Sequence, residues 1–229
     1  MSQGVSGRTP DSAAGSPGNA SPSDVYETIR ADLLNNVIAP GARLTIDALA
    51  RDLAVSATRV REALLRLEGD DLVVKEAFKG YRATPRLSRQ ELEELFEFRL
   101  LVEPWAAERV AARTLGSPAR TLADETERLA AQAATSGVDR RVLMDHDMRF
   151  HDTILAATGN RTVLRAFQRT HCHLHLFRLC PPHLDGRQTV REHQAIVDLL
   201  LAADPGAAAA AMRSHLTESF TRFRDGLAG

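Results

Sequence analysis

At 229 residues, the chain fits one large domain or two modest ones, each able to bury a core. Apolar residues make up 44%, charged residues 26% and aromatic residues only 5%, and Ala and Leu dominate the apolar set; that mixture favours packed helices over sheets. A net charge of −1 means that any nucleic-acid surface must be local, and the absence of a run of roughly 20 apolar residues or of signal-peptide order leads to the expectation of a cytoplasmic protein with no membrane partner.

Residues 1–22 are rich in Ser, Gly, Ala and Pro, carry no apolar periodicity and read as a disordered tail. From Ser23 the pattern is helical: Val25, Ile29 and Leu33 recur at fourfold spacing, and Pro40-Gly41 is a strong turn signal. A short second helix follows with Thr45 as its cap and Ile46, Leu49 and Leu53 on one face. Ser56 caps a third, whose Val60, Ala63, Leu64 and Leu67 form one apolar stripe. Leu72-Val73-Val74 and Tyr81 to Thr84 read as two strands turning near Lys79-Gly80. Three helices and a small β-hairpin in that order spell a winged helix-turn-helix over residues 23–84.

Residues 85–88 form a linker, and residues 89–229 read as an all-α antiparallel helical bundle, so the fold class is mainly α. Ser88 with Glu91 is a capping box that opens a helix to about Arg113, with a kink expected at Pro104. Ser117-Pro118 starts the next helix. Further helices are expected near 139–157, 161–179, 187–203 and 205–225, broken at Gly159-Asn160, Pro181-Pro182 and Asp204-Pro205. If Cys172 and Cys180 share the helix expected near 161–179, their Cα atoms lie about 12 Å apart. A disulfide needs less than about 7 Å, so both read as reduced, buried thiols.

On the third helix the stripe leaves Thr58, Glu62 and Leu65 opposite the core, with Arg61 on one flank and Arg59 and Arg66 on the other. Arginine suits bidentate contact with guanine and phosphate, Ser56 and the first turn can meet phosphate, and Lys79 and Arg82 can grip the backbone from the wing. The alternative is a solvated helix with scattered arginines. All eight histidines lie from His146 onward. Asp147 and His151, four apart, share a helical face, and His193 and His215 sit on two later helices. One Asp and three His suit Zn, Ni, Mn or Fe, and four protein ligands leave open positions on an octahedral ion. A rival cluster is His171, His173 and His175, which could bind metal, line an effector pocket or support the ligands. Arg99 with Glu103 is either a surface ion pair or a buried fork that holds a carboxylate.

The segment APGARL…LARDLAVSATRVREALLRLEGDDLV resembles the DNA-binding domain of the GntR family of bacterial repressors, and the rest resembles that family's FCD branch. The VREAL core, Val60 to Leu64, implies that Arg61 reads a base. After the capping Ser the family usually has Arg, Thr and Pro, whereas this chain has Ala57, Thr58 and Arg59, so the operator sequence does not carry over. DMRFH, REHQAI and MRSHL match the pattern in which Asp147, His151, His193 and His215 bind one divalent metal per chain, and Arg99 and Glu103 match a pair on the first FCD helix. The resemblance implies a regulator of double-stranded operator DNA, probing an inverted repeat as a homodimer. A small carboxylate effector would complete the metal's coordination, with Arg99 at its other end. The helix opening at Ser88 is the expected route to the wing. The alternative is a metalloenzyme of hydrolase type with an appended helix-turn-helix. The chain has no G-x-S-x-G, H-E-x-x-H or P-loop, and Glu192 beside His193 is its one obvious candidate base.

Overall fold

The structure, a computed structural model, describes residues 22–77, 80–113, 116–179 and 186–227. The tail before Pro22, Lys79, Cys180 and Pro181-Pro182 lie outside the described residues, as does the Cys172–Cys180 pairing question. No helix among the described residues is long and apolar enough to cross a membrane.

The N-terminal head consists of α1 (Pro22–Leu34), β1 (Arg43–Leu44), α2 (Ile46–Asp52), α3 (Ala57–Gly69), β2 (Val73–Glu76) and β3 (Gly80–Ala83). The hairpin pairs Val73 with Ala83 through Glu76 with Gly80, and β1 adds to its other side, giving an antiparallel order β1-β3-β2. Two residues cannot display a strand's alternation, which is why β1 is invisible in the sequence. The α3 stripe of Val60, Ala63, Leu64 and Leu67 is fully buried and shares a core with Val25, Ile29 and Leu33 of α1. Ser56 caps α3 by accepting the Arg59 N–H at 3.4 Å. Thr45 occupies the cap position of α2 but makes no side-chain cap hydrogen bond, a departure from the expected capping.

The bundle consists of α4 (Arg89–Ala111), α5 (Gly116–Ser136), α6 (Arg140–Ala157), α7 (Arg161–Gln168), α8 (Cys172–Leu179), α9 (Arg187–Leu201) and α10 (Pro205–Leu227). The capping box is complete: Ser88 N–H donates to Glu91 Oε2 at 2.8 Å and Glu91 N–H to Ser88 Oγ at 3.2 Å. α4 continues through Pro104 as one element, lying along α10, while α5 lies along α9. Asn160 caps α7, its side chain accepting the N–H groups of Thr162 and Val163.

The expected helix over 161–179 is two helices. His171 adopts a left-handed φ of 44°, which a helix cannot contain, and α8 begins after it. Every residue of α8 is buried. Its Cys172, Leu176 and Leu179 pack in the bundle core, whereas Leu174 and Phe177, with Met144 of α6, belong to the core of the head.

Candidate metal centre

α6 presents Asp147 and His151, α9 presents His193 and α10 presents His215; one donor atom from each lies within 4.8 Å of the others. Asp147 Oδ1 is 3.7 Å from His151 Nε2 and 3.5 Å from His193 Nε2, and the Nε2 atoms of His215 and His151 are 3.3 Å apart. The opposite side of each imidazole is occupied. His151 Nδ1 contacts Glu103 Oε2, and His215 Nδ1 lies 2.7 Å from Glu192 Oε2. His193 Nδ1 lies 2.9 Å from His146 Nε2, whose other nitrogen is 3.2 Å from Glu125 Oε1. Asp147 Oδ2 is taken by His173 Nδ1 at 2.9 Å. Such outer partners fix ring orientation and leave the inner nitrogens for an ion. Phe150 stacks flat on the His193 ring at 3.7 Å, which further restricts its rotation.

The electrostatics point the same way. Burial pushes His193 well below its ordinary pKa, and it lowers His215 despite the Glu192 carboxylate, so both rings are neutral with a lone pair to offer. Burial alone raises the Asp147 carboxyl, but the neighbouring His151 ring and the hydrogen-bonded His173 outweigh it and hold the group well below the usual carboxylate range. His193 Nε2 is buried with no hydrogen-bond partner. Burial lowers His151 too, but the Glu103 carboxylate outweighs it and raises the ring's pKa, so an ion would displace a proton there. An ionised carboxylate, two neutral imidazoles, a third that must give up its proton and an orphaned inward nitrogen are a donor set that fits a divalent ion.

Arg99 is not the surface pair that the sequence left open. It and Glu103 are 2% and 1% exposed, joined by a 2.6 Å hydrogen bond from Nε to Oε1, and its Nη2 stands 3.3 Å from His151 Nε2. A cavity of about 50 Å³ adjoins them, with Arg99, Asp147, His173, His215, Ser219 and Arg222 in its wall. Glu192, the candidate base of an enzyme, is spent: Arg222 donates to both its oxygens at 2.8 Å, and His215 holds one of them.

The rival histidines do not converge. His171 lies outside α8, His173 supports Asp147, and His175 Nε2 is 3.3 Å from Asp71 Oδ2 in the head. Sequence reasoning missed His146 and Glu125. Adjacent helical residues point about 100° apart, so nothing in the spacing links His146 to the face that carries Asp147. Its tie to His193 is made by tertiary packing alone.

On the head, Ser56, Thr58, Arg61 and Arg66 are exposed along α3, and Arg59 is half-buried. Arg66 lies 3.9 Å above the Tyr26 ring. Arg82, expected to grip DNA from the wing, is engaged within the head instead: its Nε donates to Glu76 Oε1 at 2.8 Å and its Nη1 to the Gly41 carbonyl at 2.6 Å. Glu76 lies two positions along β2 from Val74, the register partner of Arg82, on the same face of the hairpin.

Comparison with known proteins covers both halves. Residues 22–82 match the model of bacterial regulatory proteins of the gntR family, and residues 94–218 match the FCD domain. The HTH-type transcriptional repressor GlaR of Escherichia coli is 26% identical over 221 residues, covering 90% of this chain and 97% of that protein. An HTH-type transcriptional regulator in the TAR-I ttuE-ttuC' intergenic region of Agrobacterium vitis is 33% identical over 140 residues, covering 60% of this chain and 80% of its own length. The solved structure of McbR/YncC from E. coli shares the fold with a TM-score of 0.70 at 19% identity, over 89% of this chain and 97% of that one.

Proposed function

The chain belongs to the gntR family of bacterial regulatory proteins, in the branch with an FCD domain, and on that premise we propose that it is a repressor whose operator affinity is set by a small carboxylate at a divalent metal. The observation that carries the reading is the quartet of half-buried Asp147 and buried His151, His193 and His215, whose donor atoms gather within 4.8 Å while their outer atoms are already engaged. These residues would hold one ion of Zn, Ni or Mn type. The ion supplies a Lewis-acidic anchor for an anionic oxygen, since four protein ligands leave positions open on an octahedral ion.

What the chain's own residues do is bind and orient. Arg99, held by Glu103 beside His151, offers a fork of N–H donors to a carboxylate seated at the quartet. The cavity's small volume favours a short acid over a long-chain one. In the head, Arg61 is assigned base readout, with Ser56, Thr58, Arg59, Arg66 and Lys79 on phosphate or flanking positions. One such head reads few base pairs, so the working form is a homodimer on an inverted repeat in the cytoplasm. The likeness to a named repressor supports the sign of control.

The test is a thermal-shift screen of short mono-, di- and hydroxy-carboxylates against metal-loaded protein, followed by operator titration with each hit. Hits are expected to require the metal and to change operator affinity about five- to 150-fold. Hits that bind equally well after chelation, or that leave operator affinity unchanged, overturn the reading.

A further inference from the structure

α8 touches the metal centre at one end and the head at the other. Near its start, His173 Nδ1 is bonded to Asp147 Oδ2. Near its end, the Arg178 guanidinium, 1% exposed, donates to Thr84 Oγ1 at 2.8 Å, to the Thr84 carbonyl at 2.6 Å and to the Pro85 carbonyl at 3.3 Å. Between them His175 reaches Asp71. Asn36, just past α1, donates to the Arg178 carbonyl at 3.3 Å.

The residues it holds are the base of the DNA-facing elements. Asp71 follows the end of α3 by two positions. Thr84 closes β3 and donates both its N–H (3.0 Å) and its hydroxyl (3.2 Å) to the Leu72 carbonyl. A shift of α8 therefore turns the recognition helix and the wing together.

Arg178 also differs from Arg99 in its charge balance. Among the described residues no carboxylate reaches it within ion-pair distance, and neutral oxygens accept all its bonds. Burial, with Arg86 nearby, lowers its pKa from the ordinary arginine value. A buried cation whose hydrogen bonds go to neutral acceptors, with the Asp71 charge acting on it only from beyond ion-pair distance, is costly to keep dry.

We propose that α8 is the lever that couples the metal centre to the DNA-binding head, with His173 sensing the position of Asp147 and Arg178 holding the base of α3 and the wing. It rests on the regulatory reading above and names its route, which differs from the expected one through the helix opening at Ser88. The break at His171 frees α8 from α7, so a reorientation of the Asp147 carboxylate that His173 follows displaces a short rigid rod. Both domains already pack on that rod.

The experiment uses full-length protein, with Zn²⁺ alone as the probe. Elemental analysis records metal content, and amide hydrogen exchange is followed with Zn²⁺ and with chelator. In the wild type, Zn²⁺ is expected to slow exchange of α6 and to change exchange across residues 69–84 by at least about fivefold, the low edge of ordinary coupling. Arg178→Met should keep the metal and the α6 response while losing the response at 69–84. Should that variant fail to fold, Thr84→Val, which removes at nearly constant shape the hydroxyl that accepts from Arg178 and donates to the Leu72 carbonyl, is read in the same way. If the wild type binds Zn²⁺ and residues 69–84 do not respond, or if they respond as strongly in the folded variant, the lever is overturned while the metal reading stands. If the wild type takes up no Zn²⁺, the metal reading falls and the lever with it.

Discussion

The metal centre and the recognition helix are both clusters of polar side chains, yet they are built on opposite terms. In the centre, folding has already engaged the outer atom of each donor, through Glu103, Glu192, His146 and His173, before any ion arrives. On α3, Thr58 and Arg61 are exposed on the helical face. Interior chemistry has to be complete, since an unpaired buried group costs about 1–3 kcal/mol. Surface chemistry can wait for its partner. Substitutions in the centre should therefore change composition and stability, and substitutions on α3 should change affinity alone.

The largest expected effect tests the interior side of that contrast. His193→Ala should lose the metal, and chelation should then no longer lower the variant's Tm. In the wild type, metal at a thousandfold over its Kd adds about 4 kcal/mol of apparent stability. Because His171 touches none of the quartet, His171→Ala should retain the ion. Equal metal in wild type and His193→Ala, measured on purified protein, would break the comparison at its root.

A smaller effect tests the surface side. Arg61→Ala should weaken specific operator binding by about 1–3 kcal/mol and leave Tm unchanged. Footprinting the same operator at unchanged affinity, or a melting point that moves with the substitution, would contradict the assignment.

The smallest effect lies where interior meets solvent. Burial raises the Glu125 carboxyl, but hydrogen bonds from Arg149 and His146 outweigh it, so its pKa is below the ordinary carboxylate value of 4.5. A depressed pKa contributes stability that is fully present above the unfolded value and is lost as pH falls through the folded one. Glu125→Gln should therefore flatten the acid limb of the metal-free protein's stability curve below about pH 4.5. Urea unfolding at stepped pH reads this directly, and parallel curves for variant and wild type would refute it.

How much of this was legible in the chain depended on whether the cause was local. The α3 stripe, the Ser88–Glu91 box and the break at Gly159-Asn160 rest on neighbours a few residues apart, and local spacing exposes them. The quartet was readable because Asp147 and His151 are four apart, and the resemblance supplied the other two. His146, Glu125 and the inward turn of Arg99 depend on which helices pack together, and no spacing encodes that. The break at His171 was hidden for another reason: the residues on both sides form helices, and only the short turn of residues 169–171, with left-handed His171, separates α7 from α8.

The core that α8 shares bears on how such regulators are assembled from parts. By chain order the head ends at the linker, which invites the view that heads and bundles are interchangeable modules. By packing it does not end there, because Met144, Leu174 and Phe177 complete the hydrophobic interior around Leu64, Leu72 and Val73. A head transplanted at the linker would meet a foreign wall at those three positions. Recombination between relatives is thus constrained at sites far along the chain from the seam, and a successful chimera has to carry part of α6 and α8 with its new head.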